Sequence, residues 1–146
     1  MRTNWQQLLC PFFSKISKKV IEGYFQGHGF QVNETETGGL FFQKEDIFVE
    51  ISYDPQTHPN YSPTLIIGIG MEKFDSSGDP SGVPLWYVLP EESEQRRYSF
   101  WKFKSEQDLE IIMDKVLSQI IRPYMEPLWG NLSLLESKVM NFKSCI

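Results

Sequence analysis

The sequence predicts an α+β fold: an N-terminal helix, an antiparallel meander of five or six strands, and two C-terminal helices packed on one sheet face. Three observations carry this. The stretch IFVEISYD alternates with period two, so Ile47, Val49, Ile51 and Tyr53 share one face while Phe48, Glu50, Ser52 and Asp54 share the other. A strand with one apolar and one more polar face suits an antiparallel sheet covered on one side. The stretch after Ser105 carries Leu109, Ile112, Met113, Val116, Leu117, Ile120 and Ile121 at helical spacing, a wide apolar stripe that must cover such a sheet. Between them, short strand-like runs are separated by turn residues.

Along the chain, residues 12–26 read as the first helix. Phe12, Phe13, Ile16, Val20 and Phe25 recur at helical spacing and Lys15, Lys18 and Lys19 lie opposite. Pro11 suits a first turn, where its missing N–H loses no bond. Gly27-His28-Gly29 is a stop signal, and His28 sits where the helix dipole favours positive charge. Phe30–Glu36 reads as a weak strand, Thr37-Gly38-Gly39 as a turn, Leu40–Lys44 as a strand and Glu45-Asp46 as a tight turn before IFVEISYD. Residues 54–63 form a loop stiffened by Pro55, Pro59 and Pro63. Thr64–Met71 is a strand with Leu65, Ile67, Ile69 and Met71 on one face and Ile66, Gly68 and Gly70 on the other. Interior glycines mark a close approach, here by a covering helix or by a ligand. Glu72–Val83 is a polar loop, and Pro84–Leu89 and Tyr98–Phe103 form an aromatic-rich hairpin. Ser105 and Asp108 resemble a capping box that opens the amphipathic helix. Pro123 ends or kinks it and Pro127 prevents early resumption. Asn131 or Ser133 caps a last helix, with residues 131–146 set to dock on the chain's own core or on a second copy.

A chain of 146 residues fits a single domain, here 1–146. A domain of this size buries roughly 68–70% of its unfolded surface, enough to fold without disulfide or metal. Aromatic residues at 14% imply a large aromatic core, with a binding patch as the alternative. The net charge of −5 argues against nucleic acid as the partner. Charge is uneven: residues 31–110 carry fifteen acids and six bases, whereas residues 1–30 carry four bases and one acid. Either the pieces complement one another within the fold, or an acidic face attracts a basic partner. Cys10 and Cys145 form no disulfide framework and suit a reducing cytoplasm. No signal peptide is read at the N-terminus, and no apolar run is long enough to span a membrane.

Motifs of chemistry are sparse. Gly68-Ile69-Gly70 lacks the third glycine and following helix of a dinucleotide site. Cys10, His28, His58 and Cys145 show no zinc spacing. Cys10 as a nucleophile would need His28 or His58 beside it. Glu50, Asp54 and His58 form the one constellation suited to a divalent ion or to acid–base work. No cofactor, metal site or catalytic residue is assigned. Trp86, Tyr87 and Trp101 are core residues first and hot-spot residues second.

The run GVPLWYVLPEES, then YSFWKF, then the capped amphipathic helix ending in IIRPY resembles the C-terminal half of small bacterial proteins of unknown function. Some families of that α+β shape are immunity proteins of contact-dependent toxin systems. The resemblance spans residues 38–125 and carries no functional residue across. It implies a bacterial cytoplasmic protein. The expected function is a non-catalytic protein-binding module of the immunity-inhibitor type, using Glu50, Ser52, Asp54, His58, Trp86, Tyr87 and Trp101. The alternatives are a metal-dependent or small-molecule enzyme at Glu50, Asp54 and His58, and a homodimer joined through the last helix.

Overall fold

A computed structural model of the chain describes residues 10–35, 38–54, 63–72, 83–84, 87 and 101–144. Helix α1 covers residues 13–27. It is α-helical over Phe13–Ser17, widens to a π register over Lys18–Glu22, and is α-helical again over Gly23–Gly27. Its buried row is Phe13, Ile16, Ser17, Ile21 and Phe25. In an unbroken α-helix Phe25 would stand about 120° around the axis from Phe13. The extra residue of the π turn brings Ile21 and Phe25 back under Phe13 and leaves Val20, expected in the stripe, only half-buried.

The helix stops as Gly27-His28-Gly29 predicts. Gly29 takes a φ of +88°. The Phe30 N–H donates to the Phe25 carbonyl at 3.0 Å and the Gly29 N–H to the Gln26 carbonyl at 3.1 Å. This is a Schellman closure, completed by edge-to-face packing of Phe25 on Phe30, with ring centres 5.3 Å apart.

Five strands follow in sheet order β1-β2-β3-β4-β5, all antiparallel: Gln31–Glu34, Leu40–Lys44, Ile47–Asp54, Thr64–Met71 and Val83–Pro84. The expected strands at 40–44 and 64–71 have the bounds read from the sequence. β3 and β4 pair over their whole length, with Phe48 opposite Gly70, Glu50 opposite Gly68 and Ser52 opposite Ile66. The aromatic hairpin is described in part. Of the described residues of its first arm, Pro84 is strand, within Val83–Pro84, and Tyr87 is helical. Of its second arm, Lys102 bridges Thr64, and the Leu65 N–H donates to the Trp101 carbonyl at 2.8 Å. Residues 85–86 and 88–100, like the loops at 55–62 and 73–82, lie outside the described residues.

Helix α2 covers residues 106–129. Ser105 caps it, its Oγ accepting the Asp108 N–H at 3.1 Å. Asp108 reaches back to the Lys104 N–H rather than to that of Ser105. Pro123 does not end the helix. It lies inside a π stretch, Leu117–Met125, after which Glu126–Trp129 is α-helical again. The widened turn tolerates a residue that offers no N–H to the carbonyl four positions back. Pro127 falls in the first turn of the final α stretch and does not prevent the helix from resuming. Helix α3, Leu132–Ser144, is capped by Asn131, whose Oδ1 accepts the Leu134 N–H at 3.2 Å.

One core joins these elements. Leu40, Phe42, Ile47, Val49, Ile51, Tyr53, Leu65, Ile67, Ile69 and Met71 line the sheet face that all three helices cover. Phe25 stacks on Phe42 at 4.2 Å, and Phe13 meets Tyr53 at 4.7 Å. At the rim, Lys15 and Lys19 of α1 pair with Glu106 and Glu110 of α2, each at 2.6 Å, and Lys18 pairs with Glu34 at 3.3 Å. These exposed pairs contribute little each, but they place three of the acids of residues 31–110 against the basic helix. No helix among the described residues is long and apolar enough to cross a membrane.

The interior glycine that was open to a helix or a ligand has a different occupant. A Cβ on Gly70 would lie 2.6 Å from Cζ of Phe48, whose fully buried ring fills that place. Gly70→Ala is expected to cost about 1–3 kcal/mol in urea unfolding. Combined with Phe48→Leu it should cost clearly less than the sum of the two single changes, because both act on one contact.

Candidate functional site

The sheet face away from the helices carries the odd parity of β2 and the even parity of β3 and β4. Phe41 stacks on Phe48 with ring centres 5.3 Å apart. Beside that pair stand Glu50 and Ser52, half-buried, and then Ile66, 40% exposed, directly opposite Ser52. Thr64 and Lys102 continue the strip toward the sheet end. Glu50 has Gly68 as its cross-strand neighbour, so no β4 side chain stands opposite it.

The residues singled out from sequence do not gather in one place. Glu50 and Ser52 follow one another on the same face of β3, which runs through Asp54. His58 and Trp86 lie outside the described residues. Tyr87 and Trp101 belong to the rim of the helix-side core, Tyr87 packing edge-to-face on Phe142 at 5.0 Å. Among the described residues no three His, Cys, Asp or Glu side chains come together as a metal site.

Cys10 is a half-buried free thiol, and burial pushes its pKa up, the opposite of what a nucleophile needs. Its backbone N–H donates to the Tyr53 hydroxyl at 2.9 Å.

A denser polar cluster was not anticipated. It joins the ends of α1 and α2. The Tyr24 hydroxyl donates to Oε2 of Glu126, and His28 Nε2 lies 3.9 Å from the same oxygen. The Arg122 guanidinium stands 5.3 Å over the Tyr24 ring, and Trp129 packs 4.9 Å from Phe30. Tyr24 and His28 are four residues apart, as are Arg122 and Glu126, so each pair shares a helix face. That spacing was visible in the sequence. The meeting of the two pairs, about a hundred positions apart, was not. The cluster fastens the Schellman turn to the end of α2, with Glu126 accepting from Tyr24 rather than standing open as a base.

A shallow polar depression of about 380 Å³ lies beside the turn that ends α1, lined by Gly29, Gln31, Gln43, Lys44 and Glu45. Comparison with known proteins gives no matching family model, no matching curated protein and no matching solved structure.

Tyr24 holds its proton above the ordinary tyrosine range, first through burial and then through its bond to Glu126. Unfolded tyrosine ionises near pH 10. Stability is therefore complete below about pH 10 and falls as pH rises beyond it, because the folded state alone retains the proton. Urea unfolding across this range should show a shallower decline for Tyr24→Phe than for the parent chain. Tyr53, also raised by burial, accounts for a remaining slope.

Proposed function

We propose that the chain is a non-catalytic protein-binding module of the immunity-inhibitor kind, and that its partner docks on the sheet face opposite the helices. The observation that supports this is Ile66, 40% exposed in the middle of β4 and flanked by the half-buried Ser52 and Glu50. An exposed aliphatic anchor with polar neighbours is the pattern of a binding centre with its rim. The charge balance points the same way. Residues 31–110 carry fifteen acids against six bases, a balance that suits a basic partner surface. The setting that goes with this reading is a bacterial cytoplasm, in keeping with a free thiol at Cys10.

Calorimetric titration of the purified chain with the products of neighbouring genes tests the proposal. A stoichiometric partner is expected, bound less tightly at high salt. Ile66→Asp should weaken it by about tenfold or more, corresponding to roughly 1–3 kcal/mol, with thermal unfolding unchanged. Absence of any stoichiometric partner, or equal binding by Ile66→Asp and Glu50→Lys variants, would overturn it.

A further inference from the structure

Helix α1 carries two apolar rows where one would serve. In an unbroken α-helix Val20 and Tyr24 would stand about 20° to either side of Phe13, in the middle of the buried stripe with Ile16 and Ser17. The π turn over Lys18–Glu22 instead puts Ile21 and Phe25 there, both fully buried. Val20 and Tyr24 are left half-buried at the margin of the core. The two rows lie one residue apart, so removing the π turn exchanges one for the other. One donor beside them is left over. The Trp129 Nε1–H is buried without an acceptor among the described residues, and the Trp129 ring lies 5.4 Å from that of Phe25. Phenylalanine offers that donor no acceptor atom, whereas tyrosine carries a hydroxyl oxygen.

We propose that the second half of α1 is a register switch. In the ground register the π turn is present and Phe25 stacks on Phe42. In the second register residues 18–22 are α-helical, and the helix beyond them turns by about 100° about its own axis. Val20 then takes the place of Ile21 and Tyr24 that of Phe25, while Phe25 moves to the exposed position of Gln26. The Tyr24 hydroxyl leaves Glu126 and comes beside the Trp129 indole N–H. The joint between α1 and α2 opens, and an aromatic ring is offered at the surface. Two features keep this register minor, on the order of 1% of molecules. Phe25 loses its buried place, and His28 takes the place of Gly29, whose φ of +88° suits glycine.

Helix register shifts fall in the microsecond-to-millisecond range, so NMR relaxation dispersion on the full chain tests this. Amides from Gly23 to Phe30 and the Trp129 indole should exchange at one shared rate. The minor state should keep helical carbon shifts over residues 20–26, and its indole proton should move downfield, as a newly bonded donor does. Val20→Gln should lower the minor population about tenfold, because the second register would bury the amide. Circular dichroism and thermal unfolding of this variant, which should match the parent, confirm that the ground fold persists. Glu126→Ala removes an acceptor that Tyr24 uses in the ground register alone, and should raise the minor population about fivefold. Flat dispersion in the parent chain overturns the proposal. So does exchange that survives Val20→Gln unchanged, or a minor population that Glu126→Ala leaves unmoved. A minor state with random-coil shifts overturns it too, since that is fraying of the helix end and not a change of register.

Discussion

Phe48 lying across Gly70 holds β3 and β4 in a single register. A strand pair that slips by one residue turns every side chain to the opposite face. Here a slip would drive the fully buried Phe48 ring onto Ile69 or Met71 and carry Val49 and Ile51 out of the core. The contact is on the face away from the helices, yet it decides which residues the helices meet. Once it is in place, Tyr53 stands under Phe13, Phe42 stands under Phe25, and α1 has only one way to lie on the sheet.

The helices answer with a matching adjustment. Both α1 and α2 contain a π stretch, and in both the effect is to bring late apolar residues back into line with early ones. A straight α-helix as long as α2 would turn Met125 and Leu128 away from Leu109. The widened turns keep all three buried. Pro123 then sits where an α-helical hydrogen bond is already relinquished, so a residue that commonly breaks helices is housed within one.

Much of this architecture was legible in the residues themselves. Alternation in IFVEISYD and TLIIGIGM located β3 and β4, because a half-covered sheet forces period two. Gly27-His28-Gly29 located the end of α1, because a Schellman closure needs a left-handed residue. The π turns were not legible, since one extra residue per helix leaves a stripe that still looks helical. The identity of the residue over Gly70 was hidden because the covering ring comes from the neighbouring strand. The acidity of residues 31–110 left two readings open, complementarity within the fold or a surface field, and three of those carboxylates face lysines of α1. The cluster of Tyr24, His28, Arg122 and Glu126 was hidden for the same reason: it exists only after two distant helices dock. At the strip around Glu50 and Ser52 the face assignment was readable and the exposed anchor, Ile66, was not singled out.

The ion pairs between α1 and α2 join residues 91 apart in the chain. The sheet, by contrast, is built from neighbours in sequence, each strand pairing with the next. Closing a long loop carries an entropy cost that grows with its length, and non-local contacts form late for that reason. The meander and the helix layer are thus unequal partners in assembly. The strands gather locally, and the apolar face of Leu40, Phe42, Val49 and Ile69 stays uncovered until the two ends of the chain arrive together. During that interval the nascent chain presents its most adhesive surface to its surroundings.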